Sequence, residues 1–252
     1  MPVIVYSTKD PAGTNIAEQI LETSSLEAIP VSSDLLHCEK EVADMDTDLI
    51  VFASKHKSEK GFPSFTVHTA GNWGAAEMGG VSNKLCTASP LAMKSIAIEI
   101  EKLMKKRSMP FIFSLESDHH GPLIDTPCLF AEVGSSEKEW NDKNAAAVVA
   151  EAIITAMKNG IEMKSDKIVF GIGGGHYCPA FTKLELGENI AIAHVLPKYQ
   201  VKEIDFETFK QGIEKSTEKV DVIYIDWKGL NKEQRDKIIE FCKTAGMEWQ
   251  KV

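Results

Sequence analysis

Eight short apolar runs recur along the chain, at residues 2–6, 49–53, 64–68, 111–115, 128–133, 167–172, 190–195 and 220–225. Each has the length of a buried strand, and most are separated by stretches with helical character. That alternation restricts the chain to an α/β fold with a mixed, mostly parallel sheet flanked by helices. Run 64–68 alternates, putting Phe65 and Val67 on one face and Thr66 and His68 on the other. Three helices carry start and stop signals. Ser89-Pro90 opens one reaching about Arg107, with Leu91, Ile96, Ile100 and Leu103 at helical spacing. Ser136 and Glu139 form a capping-box pattern ahead of the apolar stretch 145–157, with Gly160 as its stop. Asn231 opens the third, carrying Ile238, Ile239 and Phe241 and ending at Gly246. With no internal repeat or long linker, a single domain over residues 1–252 is expected.

Composition excludes several classes. The longest apolar run, 145–157, is broken by Glu151 and falls short of the ~20 residues a membrane span needs. The N-terminus lacks the basic segment and cleavage site of a signal peptide and reads as a strand. Five widely spaced cysteines with no C-x-x-C pair fit free thiols in a reducing cytoplasm. A net charge of −9 argues against broad attraction to nucleic acid, so any such contact must be local. Lys55, Lys57 and Lys60 form one basic cluster, and Lys102, Lys105, Lys106 and Arg107 another.

The histidines follow the strands. His68 ends run 64–68, His119 and His120 follow run 111–115, His176 follows run 167–172, and His194 lies late in run 190–195. In open α/β sheets, ligands bind beyond the carboxyl ends of strands, so these five are candidates for one site. The segment ESDHHGP (116–122) adds Glu116 and Asp118 to His119 and His120. Imidazoles and carboxylates in that number suit one or two divalent metals, with zinc the expectation, plus acid–base groups. In HTAGNWG (68–74), Asn72 can hold an oxyanion and Trp73 can stack on a base or side chain. In GIGGGHY (171–177), Gly173, Gly174 and Gly175 offer backbone N–H groups to an anion. There is no G-x-S-x-G elbow and no H-E-x-x-H helix. Cys178 beside His176 reads as a buried thiol, and His37 and His56 as surface or packing residues.

These three segments, with HVLPKY at 194–199, resemble the archaeal and plant type of D-aminoacyl-tRNA deacylase. The resemblance runs from the first strand to the last helix. It implies a peptidyl-tRNA hydrolase- or phosphorylase-like α/β fold, zinc dependence, and hydrolysis of D-tyrosyl-tRNA and other D-aminoacyl-tRNAs. On that reading His68, Glu116, His119 and His194 hold metal, and His120, His176, Asp118 and Asn72 serve catalysis. Trp73, Gly173–Gly175, Lys105, Lys106 and Arg107 contact the acceptor end of the aminoacylated tRNA. The expected protein is a monomer with no membrane partner. Two alternatives stay open: a metal-dependent amidohydrolase or peptidase acting on small substrates, and a metal-free, peptidyl-tRNA hydrolase-like enzyme.

Overall fold

Among the described residues the strands form two large sheets and a two-stranded ribbon, Gly71–Asn72 with Lys84–Leu85, rather than one sheet. The computed structural model describes residues 1–59, 61–158 and 164–252, so Lys60 and Gly160 lie outside the described residues. The first half runs β1 (Val3–Ser7), α1 (Pro11–Thr23), β2 (Ala28–Val31), a 3-10 turn (Leu35–His37), α2 (Glu39–Val42), β3 (Ile50–Lys57), β4 (Ser64–His68), β5 (Gly71–Asn72), β6 (Lys84–Leu85) and α3 (Pro90–Lys106). The second half runs β7 (Ile112–Leu115), β8 (Cys128–Ser135), α4 (Glu137–Trp140), α5 (Lys143–Lys158), β9 (Lys167–Ile172), α6 (Pro179–Gly187), β10 (Ile190–Leu196), α7 (Phe206–Glu214), β11 (Val222–Ile225), α8 (Lys232–Ala245) and β12 (Trp249–Lys251).

The larger sheet has the order β2-β1-β3-β8-β4-β7. Its first four strands are parallel, β4 runs antiparallel to β8, and β7 follows β4 in parallel. The smaller sheet, β10-β9-β11-β12, is entirely parallel. The expected mixed, mostly parallel α/β architecture is therefore present, divided over two sheets. α3 packs on both β4 and β10 and joins them. One core cluster includes Val67 and Leu129 of the larger sheet and Val169 and Ile192 of the smaller.

Each of the eight apolar runs contains a strand, and β2 and β12, whose short sequences carry no such run, complete the sheets. The capping box at Ser136 and Glu139 forms, but it starts the one-turn α4 and not the apolar helix α5, which begins afresh at Lys143. Ser89 occupies the N-cap position of α3 without a side-chain cap bond; Pro90 inside the first turn starts that helix. Asn231 caps α8 as expected, and Gly246 closes it in the left-handed region at φ 66°. Among the described residues, no helix is long and apolar enough to cross a membrane.

Candidate active site

Pleating decides which side chains of the larger sheet face the site. Val51, Ala53, Phe65, Val67, Leu129 and Ala131 point into the helix-covered core. The intervening residues of β3, β8 and β4 face the other way: Phe52 and Phe130 fill a second apolar layer. Beyond them on that face stand His56, Glu132, Thr66 and His68. Register brings them together. In β8, Glu132 lies between Ser54 of β3 and Thr66 of β4, and Phe130 lies opposite His68. All four polar residues are buried.

Backbone hydrogen bonds zip three loops over this face. Glu116 N–H donates to Val67, Gly71 N–H to His120, Ser117 N–H to His176, and Asp118 N–H to Val195. These bonds hold the 116–121 loop between the ends of β4, β9 and β10. His120 adopts φ 50° at its turn. His119 then lies 4.2 Å, centroid to centroid, from both His68 and His120, and 4.5 Å from His176.

Three of these rings are fixed in one tautomer. A carbonyl oxygen can only accept, so the ring nitrogen facing it carries the proton. His68 Nδ1 donates to Thr69 (3.0 Å), His119 Nδ1 to Ser117 (2.8 Å) and His120 Nδ1 to Gly121 (2.6 Å). Each Nε2 keeps its lone pair, the arrangement a metal-binding imidazole requires. His68 Nε2 and both carboxylate oxygens of Glu116 are buried with no hydrogen-bond partner, a costly condition that a cation would relieve. Glu116 Oε1 lies 3.1 Å from His56 Nδ1 and 3.4 Å from His176 Nε2; its Oε2 lies 3.8 Å from His119 Nε2 and 4.0 Å from His68 Nε2. Three donor sets have ligand atoms within 4.8 Å of one another: His68–His119–His120, His56–Glu116–His176 and His68–Glu116–Glu132. The residues fit a divalent metal, and a mixture of imidazole and carboxylate suits zinc.

Electrostatics follow from burial. Burial pushes His68 down to about 3 despite the nearby Glu132 carboxylate, and lowers His119 and His120 as well, so all three are neutral near pH 7. Burial raises Glu116. Glu132 resists the same effect: His56, His68 and His120 hold it at about 2. Burial also opposes charge on His56, yet its bond to Glu132 and the proximity of Glu116 raise it above its usual value. His56 Nε2 is 2.7 Å from the Tyr177 hydroxyl. His68, His119 and His120 thus form a neutral imidazole group beside the Glu132 carboxylate, with His56 on its other side.

The family model for D-aminoacyl-tRNA deacylase matches residues 43–250. A D-aminoacyl-tRNA deacylase of Pyrococcus furiosus is 34% identical, with both chains covered in full. That of Thermococcus kodakarensis is 39% identical over 80% of this chain and 73% of its own. This chain belongs to the D-aminoacyl-tRNA deacylase family. A crystal structure of a conserved protein of unknown function has the same fold, with a TM-score of 0.91 at 30% identity over 100% of this chain and 95% of that one.

Within this deacylase-family chain, several expected site residues lie elsewhere. His194 was expected among the metal ligands, but it is fully buried outside the cluster. Its Nδ1 faces Asp118 Oδ2 at 2.8 Å and its Nε2 faces the Lys215 carbonyl at 2.6 Å, leaving no lone pair for a metal. Asp118 also accepts from Val195 N–H and is occupied in holding its loop. Trp73 is not an open stacking platform: it is 2% exposed, donates to the Val195 carbonyl and stacks on Phe170. Asn72 donates to the Gly79 carbonyl. Gly173 and Gly175 donate their N–H groups to Leu196 and Tyr177, so neither of these two is open to an anion. Gly173 instead lets the chain pass Asp226, whose Cβ a side chain there would meet at 2.6 Å. Lys105, Lys106 and Arg107 sit at the end of α3, before β7, whereas Glu116 follows the other end of that strand. Lys105 pairs with Glu101 and Arg107 with Glu151. Cys178 is buried, and burial raises its thiol well above the usual range, as the reading of a packing residue required.

Two site residues escaped the sequence reading. His56, read as a surface or packing residue, is in the cluster because β3 runs four residues past the apolar run, to Lys57. Glu132 was hidden inside an apolar strand. A lone carboxylate in CLFAEV (128–133), in phase with Phe130, was the signal available.

Two cavities flank the cluster. One, of about 310 Å³, is lined by Lys9, Lys55, Lys57, His56 and Glu132 among others. The second, of about 260 Å³, is lined by Asn72, Trp73, Asp118, Pro197, Tyr199 and Gln200 among others. His119, His120, His176 and Met78 border both.

Proposed function

We propose that this chain hydrolyses the ester joining a D-amino acid to the terminal ribose of tRNA, with a divalent cation, zinc by its donors, held in the histidine cluster. Family membership supports the reaction. The observation that carries the site is the set of buried, unpartnered atoms on His68 and Glu116, surrounded by imidazoles with fixed tautomers. His68, His119, His120 and Glu116 would hold the ion, with Glu132 in reach, and His194 is no longer among the ligands. Bound there, the cation would polarise the ester carbonyl and bring the pKa of water towards neutrality.

Hydrolysis joins the water oxygen to the acyl carbon, breaks the bond to the ribose oxygen and requires a proton on that oxygen. His176 suits the transfer. Its side chain is 41% exposed, it borders both cavities, and its Nε2 faces Glu116 at 3.4 Å. His56 faces Glu116 and Glu132 from behind, with the Tyr177 hydroxyl at its other ring nitrogen. Asp118 positions its loop, and Asn72 fixes the 74–80 segment through Gly79.

The test is turnover of D- and L-tyrosyl-tRNA alongside metal analysis. The D-ester should be cleaved and the L-ester spared, with activity lost on chelation and restored by zinc. Undiminished cleavage by demonstrably metal-free protein would favour the metal-free, histidine-based alternative. Cleavage of small amides with no action on tRNA would favour the amidohydrolase.

A further inference from the structure

The two cavities differ in chemistry, and a charged aminoacyl-tRNA end has two chemically different halves. One half is a nucleotide with a phosphate. The other is an amino acid with an ammonium group and a side chain. They meet at the ester, which must lie at the cluster between the cavities.

Lys9, Lys55 and Lys57 all line the first cavity. Lys9 and Lys57 are exposed and enter no ion pair among the described residues. The carboxylates at that rim are already engaged. Asp10 accepts from the N–H groups of Ala12, Gly13 and Lys55, and Asp34 from that of Leu36. Two exposed ammonium groups without an ion-pair partner offer an anion charge-assisted hydrogen bonds. Among the described residues, the second cavity has no lysine or arginine in its lining; it offers Tyr199 and Pro197 for apolar contact and the exposed carboxylate of Glu77. Tyr199 is 53% exposed, so its ring is open to contact.

We infer that the lysine-lined cavity takes the phosphate of the terminal nucleotide, and the cavity at Tyr199 takes the amino acid. This rests on the deacylase reading above. It orients the substrate across the wall of His119, His120 and His176, with the ester at the wall and the α-ammonium on the acidic side.

The probes are D-tyrosyl esters of adenosine and of adenosine 5′-phosphate, with the metal-loaded protein. The parent should favour the phosphorylated ester in kcat/KM by about tenfold, the scale of one hydrogen bond to a charged group. In Lys9→Glu/Lys57→Glu that ratio should collapse towards one, and Lys9→Gln/Lys57→Gln should fall between. Tyr199→Ala should instead shift preference between D-tyrosyl and D-alanyl esters while keeping the phosphate ratio. A parent ratio near one, lysine variants that keep the ratio, or a Tyr199→Ala variant that loses it would each overturn the assignment. If the parent cleaves D-aminoacyl esters in those cases, the deacylase reading stands and only the orientation falls. If the parent cleaves none, both fall.

Discussion

His194 Nδ1 and Asp118 Oδ2 share a 2.8 Å hydrogen bond in the interior, tying the loop that carries Glu116, His119 and His120 to β10 of the smaller sheet. The Lys215 carbonyl fixes the other side of the same ring. The cluster lies over the larger sheet, and its loop is pinned to both sheets, to Val67 of β4 on one side and to Val195 and His194 of β10 on the other.

On the proposed zinc site, His194→Leu should therefore weaken metal binding although His194 is not one of the proposed ligands. Outer partners of metal sites typically contribute about 10–100-fold in affinity or activity. Zinc titration against a competing chelator measures the first and turnover the second. Unchanged affinity and rate would mean the loop holds its position without this bond.

His56→Gln should lower kcat by about 10–100-fold, on the same scale of support to a site's ligands. The imidazole faces both Glu116 and Glu132, while Tyr177→Phe removes only the hydroxyl behind it and should cost less. Steady-state kinetics on D-tyrosyl-tRNA ranks the two, and the opposite ranking would assign the larger role to the tyrosine.

Protonation gives a pH signature in metal-stripped protein. His68 titrates near 3 when folded, against 6.5 as its ordinary value. Between those values the unfolded chain binds a proton that the folded chain refuses, so stability falls as pH falls through the window. Relative to His68→Asn, the parent should lose ~1.4 kcal/mol per pH unit below about 6.5. His56 and Glu116 shift upward and act in the opposite sense, which is why the comparison is with the single variant. Urea unfolding of both proteins from pH 7 to 5 reads the difference directly.

Charge reversal at Lys105, Lys106 and Arg107 should change tRNA turnover less than about twofold, because exposed pairs contribute little and these groups lie away from the cluster. A larger, salt-sensitive loss would show that the acceptor stem reaches the end of α3.

Most of the frame was legible because apolar periodicity is a local signal: residues 64–68 already assigned His68 to the face opposite Phe65. The clustering of His68, His119, His120 and His176 was also accessible, through the rule that ligands gather past strand ends. That rule failed for Glu132, which lies within β8 and joins the site only because β4 runs antiparallel beside it. Strand pairing is set by contacts far apart in sequence, and no local pattern announces it. His194 misled for a related reason. A histidine late in a strand looks like a ligand until the acceptors on both sides of its ring are known. Trp73, similarly, reads as a stacking face until Phe170 is found beside it.

The tautomers of His68, His119 and His120 depend on carbonyl oxygens, not on side chains. Every amino acid carries that oxygen, so the bond to each imidazole does not depend on the side chain at Thr69 or Ser117. Gly121 is the exception. A methyl group there would run into Gly80 and the Leu36 carbonyl, so the position is closed to replacement by steric fit although its chemical contribution is generic. The histidine cluster is thus specified at two levels, by the side chains themselves and by the path of the backbone whose carbonyl oxygens orient them.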